Sequence, residues 1–227
     1  MTMLFGEEID QAELTDWRKL AQGLHARYVV ADFAAGARLV AAVADAVEGL
    51  GDHLRATVGD GFVDLKLISL DAVYRDGEGT DHTVEWVTQR DLDLAGQISA
   101  VAAELGVQPD TAGIMNIELA LDTAHEDRVA PFWSALMTGS QDARGRGTIG
   151  GDVRDVAGRV PYLWFQETDE HETPRQRFHL DVFVPREHAR GRIAAAVAAG
   201  GVVVSEEDGF TVLADADGNK ACVNLSA

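Results

Sequence analysis

Apolar residues in the first half of the chain alternate between strand spacing and helix spacing. Leu24, Ala26 and Tyr28 occupy every second position of "LHARYVV", which is the pattern of a half-buried strand. In "FAAGARLVAAVADAVEGL" the apolar residues recur every three or four positions, and Asp32 stands before them as a helix N-cap. The pattern therefore predicts a strand followed by a long helix.

Further segments complete the first half. "LTDWRKLAQ" is typical of a short helix capped by Thr15 or Asp16, and "GFVDLKLISL" is typical of a strand. "DAVYRDGEGTD", residues 71–81, contains turn signals and is either a hairpin tip or a loop. In "TQRDLDLAGQISAVAAEL", Thr88 and Asp91 have the spacing of a capping box at the start of a helix. The predicted order is α-β-α-β-β-α.

The second half repeats a β-α-β-β-β unit. The predicted helices are "EDRVAPFWSALMT" and "REHARGRIAAAVAAGG". The predicted strands are "MNIELALDT", "GGDVRDVAG", "VPYLWFQE", "RFHLDVFVP", "VVVSEE", "FTVLAD" and "KACVNLS". Repeated units of this kind usually pack around a shared face, so we expect paired βαβββ modules.

A loop in the middle of the chain divides it into two domains. In "ELGVQPDTAG", residues 104–113, Gly106 fits a helix C-cap, and Pro109 with Gly113 marks a loop. The sequence predicts domains at residues 1–107 and 114–227. Both are expected to be α+β, the first as a sheet with helices on one face.

Composition narrows the class of partner. The chain has 227 residues, a net charge of −19 and one cysteine, Cys222, so an intramolecular disulfide is excluded. Such an acidic field repels a nucleic-acid backbone. No apolar run approaches the ~20 residues of a membrane span, and the first ten residues lack the features of a secretory signal. We therefore expect a cytoplasmic protein whose partners are small molecules, not nucleic acid or membrane.

Residues 14–105 resemble the pterin-4a-carbinolamine dehydratases. The resemblance is carried by Trp17, by "DFAAGARLVAAVADAVEGL", by "DHL" where the family has His-His-Pro, and by "VTQRDLDLAGQI". It implies a lyase that removes water from 4a-hydroxytetrahydrobiopterin, a pterin, to give the quinonoid dihydropterin. The family uses a small cluster of histidines with no metal and no cofactor. It also implies a homodimer.

The resemblance assigns the candidate acid and base, but the match is partial. Asp52 stands in place of the first histidine of His-His-Pro, His53 in place of the second, and Leu54 in place of the proline. Counting back from Thr88 makes His82 the third family histidine, provided that residues near 70–81 are an insertion. Counting forward from His53 without a gap reaches Leu70 instead. We expect His53 and His82 to be the acid/base pair, because an imidazole titrates near neutral pH.

Each remaining candidate has a structural alternative. Asp52 could act as an acid or base, but an ordinary aspartate titrates near ~3.9 unless burial raises its pKa. It could instead orient His53, or simply form a turn with it. Asp91 could contact the pterin or serve only as a helix cap. Glu48 and Trp86 are candidate pocket walls, with solvation or packing as their alternatives.

Residues 114–227 resemble the glyoxalase-like branch of the vicinal-oxygen-chelate superfamily. "VPYLWFQETD", "RFHLDVFVP" and "LADADGNKACV" carry this resemblance. Metal-dependent relatives hold a divalent ion with side chains from four strands, and the corresponding positions here are Asn116, Gln166, His179 and Cys222. Two amides, one imidazole and a thiol are a poor ligand set, so we expect a pocket for a second small ligand and no metal. The aromatic residues Trp133, Trp164 and Phe165 either line this pocket or form the core.

Three functions follow from these patterns. The first is a pterin dehydratase with an attached small-molecule-binding domain. The second is a non-catalytic binding or assembly protein whose dehydratase site has degenerated. The third is a lyase or dioxygenase that depends on a metal in the second domain. We favour the first as the function of the chain.

Overall fold

A computed structural model describes residues 1–127, 130, 152–153, 161–170, 178–198, 201–214 and 220–225. The chain divides into two compact units, residues 1–114 and 115–226. Helices and strands occur in both, in several sheets, which confirms the predicted α+β class. No helix in the described part of the chain is long and apolar enough to cross a membrane.

The first unit is built on an antiparallel sheet with the strand order β1-β2-β4-β3. The strands are β1 (Arg18–Leu20), β2 (Gly23–Val29), β3 (Leu54–Gly59) and β4 (Phe62–Leu67), and β7 (Gln108–Pro109) pairs with β2. A separate hairpin consists of β5 (Ser69–Arg75) and β6 (Asp81–Trp86). The helices are α1 (Gly6–Asp10), α2 (Phe33–Ala46) and α3 (Gln89–Glu104), followed by a 3-10 turn at Thr111–Gly113.

Helices α2 and α3 pack on one face of this sheet. The predicted alternation in β2 is confirmed, since Leu24, Ala26 and Tyr28 are all buried against the helices. The predicted N-cap of α2 is also confirmed, because the Asp32 side chain accepts a hydrogen bond from the Ala35 amide at 2.7 Å. A β-carbon on Gly36 would lie 2.7 Å from the Val58 side chain, so this glycine lets α2 approach the sheet closely.

The predicted helix over "LTDWRKLAQ" is wrong. Its second half is strand β1, which turns at Ala21 (φ 47°) and pairs with β2. A helix of about two turns has little stability of its own, whereas the hairpin supplies partners for the backbone. Trp17 then turns into the core, where its Nε1 donates to Ser99 Oγ of α3 at 3.1 Å.

The turn-rich segment at 71–81 belongs to the β5–β6 hairpin, so the hairpin alternative is the correct one. At its tip, Asp76 Oδ1 accepts from the Glu78 and Thr80 amides. The N-terminal segment joins this hairpin, because the Val73 amide donates to the Met1 carbonyl and the Met3 amide donates to the Val73 carbonyl. The hairpin thus has its own small core around Met3.

The second unit is a six-stranded sheet with the order β11-β12-β13-β10-β8-β9. The strands are β8 (Asn116–Thr123), β9 (Leu163–Glu167), β10 (Phe178–Val184), β11 (Val202–Glu207), β12 (Phe210–Ala214) and β13 (Lys220–Leu225), and the helix is α4 (Arg186–Ala198). Each lies where the sequence predicts it. Most of the helix predicted at 126–138, most of the strand predicted at 150–158, and Trp133 lie outside the described residues.

The two faces of this sheet differ in character. Val182 and Val184 of β10 and Val223 of β13 pack against Ala189 and Ile193 of α4. Side chains of the alternate positions lie on the opposite face, which we call the polar face. It carries Asn116, Glu118, Asp122, Trp164, Gln166, His179, Asp181, Cys222 and Asn224.

Strand β2 of the first unit carries a histidine, His25, that is only partly exposed to solvent. His25 lies between Leu24 and Ala26, on the face away from the helices, and its Nε2 is shielded from solvent with no hydrogen-bond partner in the described residues. Burial, followed by the charges of Lys66 and Lys19, lowers the pKa of His25 to about 3. The folded chain therefore resists protonation of this ring.

We expect the His25→Gln variant to lose less stability in acid than the wild type. A histidine whose pKa falls on folding binds its proton mainly in the unfolded chain, so stability falls as the pH drops below ~6.5, by at most about 1.4 kcal/mol per pH unit. Urea unfolding between pH 8 and pH 4.5 measures this. The difference in free energy of unfolding between the variant and the wild type should be constant above pH 7. Below pH 6 it should shift in favour of the variant. A difference that stays constant over the whole range would contradict the assignment.

Candidate functional site

The first candidate site centres on the carboxylate of Asp91, which is fully buried. Its Oδ2 accepts from the Thr88 amide at 2.8 Å, from Thr88 Oγ1 at 3.1 Å and from Ser69 Oγ at 2.7 Å. Its Oδ1 lies 2.9 Å from His53 Nδ1. Both oxygens of one buried acid are thus occupied by donors from three separate parts of the chain.

Local structure brings these side chains together. Asp91 is the third residue of α3, and the capping box turns its carboxylate back toward Thr88. Ser69 follows β4 and begins β5, while His53 ends the turn between α2 and β3. Two backbone hydrogen bonds fix His53, one from its amide to Leu50 O at 2.9 Å and one from the Ile68 amide to His53 O at 3.0 Å.

This pattern assigns the tautomer of His53. Asp91 can only accept, so His53 Nδ1 carries the proton and the Nε2 lone pair is directed away from the carboxylate. No described residue is hydrogen-bonded to Nε2, and 14% of the side chain is exposed. A ring held in this way presents one defined basic nitrogen to a ligand. Ser69 gives its proton to Asp91 and is therefore not poised as a nucleophile.

The predicted helix-cap role of Asp91 is confirmed, and the structure adds a contact to His53 that the sequence did not reveal. Asp52 lies beside His53 but is exposed, and its carbonyl accepts from Arg55 at 3.2 Å. Glu48 is also exposed, and its carbonyl accepts from Arg90 at 2.7 Å. The catalytic role predicted for Asp52 and the substrate contact predicted for Glu48 remain predictions.

Trp86 and His82 occupy the two ends of strand β6. Trp86 is paired with Ser69 near the site, where its ring lies under the Lys19 ammonium group and its Nε1 donates to Leu4 O at 2.8 Å. His82 lies four residues earlier, about 13 Å along a strand. There its Nε2 is 2.7 Å from Asp76 Oδ2, with half of its side chain exposed. The prediction of an acid/base pair requires His82 to lie beside His53. In the structure His82 takes no part in the hydrogen-bond network of His53.

Sequence reasoning missed Ser69. Its only signal was a small polar residue at the end of the apolar run "LKLISL", although it is fully buried and donates to Asp91. A polar residue at a strand end is common, and its partner lies 22 positions away. Only the packing of α3 against the end of β4 reveals the contact.

The second candidate site lies on the polar face of the second unit. The strand register places the four predicted pocket residues Asn116, Gln166, His179 and Cys222 on this one face. Asn116 Nδ2 is shielded there with no hydrogen-bond partner among the described residues. Of the aromatic residues, Trp164 shares this face, whereas Phe165 packs on the other side with Leu121 and Leu163.

His179 is held between two carboxylates that the sequence analysis did not consider. Its Nδ1 lies 3.2 Å from Asp122 Oδ1 and its Nε2 lies 3.6 Å from Asp181 Oδ2. Asp181 in turn accepts from Trp164 Nε1 at 3.2 Å and from Asn224 Nδ2 at 3.0 Å. The carboxylate of Asp181, and then that of Asp122, raises the pKa of His179 against the opposing effect of burial.

Cys222 completes this group. It lies directly opposite Asp181 in the parallel pairing of β10 with β13. Burial, followed by the charge of Asp181, raises the pKa of the Cys222 thiol to about 11, so the thiol stays protonated at neutral pH in the protein by itself. Cys222 is therefore a poor nucleophile.

Three residues of the polar face form a better ligand set for a divalent cation than the four residues predicted from the sequence. Ligand atoms of His179, Asp181 and Cys222 all lie within 4.8 Å of one another. An imidazole, a carboxylate and a thiol together are ligands that suit zinc and similar ions. The expectation of a poor ligand set rested on Asn116 and Gln166, and it omitted Asp181.

Comparison with known families supports the resemblance predicted for each half of the chain. Residues 3–101 match the family described as pterin 4 alpha carbinolamine dehydratase, and residues 118–224 match the family described as glyoxalase-like domain. The chain therefore consists of a pterin dehydratase-type domain followed by a glyoxalase-like domain, which confirms the fusion predicted from the sequence. A search of curated proteins found no significant match.

We expect Asp91→Ala to destabilise the first unit. The change leaves the Thr88 amide and the Ser69 hydroxyl buried without their acceptor, which costs about 1–3 kcal/mol. Asp93→Ala on the same helix is the matched control, because Asp93 is exposed and its carboxylate accepts from Gln89 Nε2, one turn earlier in the helix, at 2.9 Å. It should change stability by less than about 0.5 kcal/mol. Urea unfolding, with hydrogen exchange of α3 to locate the effect, measures both. Equal effects would show that the buried network contributes little.

Proposed function

We propose that the first domain dehydrates a 4a-hydroxytetrahydropterin, with His53 as the acid/base residue. The observation that carries this proposal is the buried Asp91–His53 pair, which fixes one tautomer and leaves Nε2 available to a ligand. The match to the pterin dehydratase family supports the substrate class. The glyoxalase-like domain is proposed to bind a second small molecule on its polar face.

The reaction is balanced in protons. N5 of the pterin loses a proton, the N5–C4a double bond forms, the C4a–O bond breaks, and the departing hydroxyl gains a proton to leave as water. An imidazole with a pKa near the working pH suits either transfer. Because one proton is taken and one is returned, His53 Nε2 can serve both steps when both atoms come within its reach.

Asp91 acts as a positioning residue. It holds the Nδ1 proton of His53 at 2.9 Å and so keeps Nε2 as the acceptor at the start of each turnover. It also stabilises the ring when Nε2 takes up a proton, since a carboxylate then faces an imidazolium. Ser69 and Thr88 hold the carboxylate in place and have no step of their own.

The second domain contributes binding in this proposal. Should it take a divalent ion, His179, Asp181 and Cys222 are the residues that would hold it, and such an ion supplies polarisation of a ligand oxygen. The proposed dehydration in the first domain does not use this ion.

The test is a dehydratase assay on the full chain, with 4a-hydroxytetrahydropterin generated in place. His53→Ala should lower kcat by ~10²-fold or more, the usual loss of an acid/base group. Asp91→Asn, which keeps the size of the side chain, should lower kcat with little change in KM and should alter the pH profile. Asp93→Asn on the same helix is the control and should match the wild type.

His82→Ala and Asp52→Asn decide between one catalytic residue and a group of them. His82→Ala should be as active as the wild type, because its ring is hydrogen-bonded to Asp76 at the other end of β6. A loss as large as that of His53→Ala would restore the pair inferred from the family pattern. A wild-type rate equal to the uncatalysed rate would refute catalysis and favour the non-catalytic binding protein.

A further inference from the structure

The turn that ends in His53 is bound at its other end by Arg90. This turn covers residues 48–53, between α2 and β3. Arg90 Nη2 donates a hydrogen bond to Glu48 O at 2.7 Å. The guanidinium group also lies directly on Gly49, where a β-carbon would collide with Nη2 and lie 3.0 Å from Cζ. Arg90 therefore contacts the first two residues of the turn.

Two adjacent residues of α3 thus contact opposite ends of one turn. Arg90 binds the start of the turn, and its neighbour Asp91 binds the ring of His53 at the end of the turn. Between these contacts the His53 amide donates to Leu50 O at 2.9 Å, and the Leu50 side chain packs against the core of the first unit. Asp91 orients the imidazole ring, whereas Arg90 holds the backbone from which the ring projects.

The charge of Arg90 is unfavourable for its own helix. Arg90 is the second residue of α3, where a positive charge opposes the helix dipole. The same charge is favourable near the C-terminal end of α2, whose last turn has no basic residue. Proteins retain such local conflicts mainly at functional sites. The position of Arg90 therefore indicates a role in the turn and not in the stability of α3.

The backbone of the turn needs a restraint from outside. Gly49 and Gly51 have φ angles of 73° and 47°, in the left-handed region that favours glycine. Glycine gives a chain more conformational freedom than any other residue. A contact from α3 to Gly49 reduces this freedom in the segment that leads to His53.

We propose that Arg90 is a positioning residue for His53. It holds the turn against α3, so that His53 Nδ1 stays bonded to Asp91 and Nε2 stays directed toward the ligand. This role rests on the proposed function of His53 as the acid/base residue. A displacement of about 1 Å can lower a catalysed rate by ~10²-fold, so Arg90 contributes to kcat without contacting the reacting atoms.

Arg90→Ala in the full chain tests this role with two measurements. The first is the pair of ring-nitrogen NMR chemical shifts of His53, which report the tautomer and do not depend on activity. The wild type should show the Nδ1–H tautomer alone, and the variant a mixture of the two. The second is the dehydratase assay, in which kcat should fall by about 10–100-fold with little change in KM. Millimolar guanidinium ion should restore part of both effects, because it supplies the missing planar group.

Asp32→Ala is the control for stability. It removes the N-cap at the far end of α2 and so destabilises the first unit, but it should leave the His53 tautomer and kcat unchanged. Arg38→Ala, at an exposed position of α2, should also match the wild type. The proposal is overturned if Arg90→Ala keeps the wild-type tautomer and kcat, or if Asp32→Ala alters both as much. A wild type without dehydratase activity would refute the proposed function, and the His53 tautomer would then decide by itself whether Arg90 positions the ring.

Discussion

The first domain depends on one buried carboxylate. Asp91 has no exposed surface, and burying an ion in this way is costly unless every oxygen finds a donor. Thr88, Ser69 and His53 supply those donors from the start of α3, the end of β4 and the turn before β3. The same contacts that make the charge tolerable also tie the helix to the sheet and fix the one imidazole that the proposed reaction needs.

In the second domain, too, a buried carboxylate is held by hydrogen bonds, here on one face of a sheet. Alternation along β10 places Val182 and Val184 against α4 and His179 and Asp181 on the other face, so a single strand serves both the core and the site. Hydrogen bonds from Trp164 and Asn224 offset the free-energy cost of burying the Asp181 carboxylate. The polar face thus gathers two carboxylates, Asp122 and Asp181, around one histidine, His179.

Both candidate sites contain a histidine paired with a carboxylate. In each, a carboxylate lies beside Nδ1 of a histidine: Asp91 beside His53, at 2.9 Å, and Asp122 beside His179, at 3.2 Å. What stands opposite Nε2 distinguishes them. In the described residues nothing is hydrogen-bonded to His53 Nε2, which suits proton transfer to a ligand, whereas His179 Nε2 lies close to Asp181 and Cys222.

The sequence by itself determined the α+β class, both family resemblances, the cap of α2 by Asp32 and the capping box at Thr88 and Asp91, because periodicity and capping are local properties of the chain. It misassigned "LTDWRKLAQ", whose strand state depends on pairing with β2. It could not join Ser69 or His53 to Asp91, nor Asp122 and Asp181 to His179. Those contacts span 22 to 57 positions, or arise from which side of a strand faces the core, and only the tertiary structure decides them.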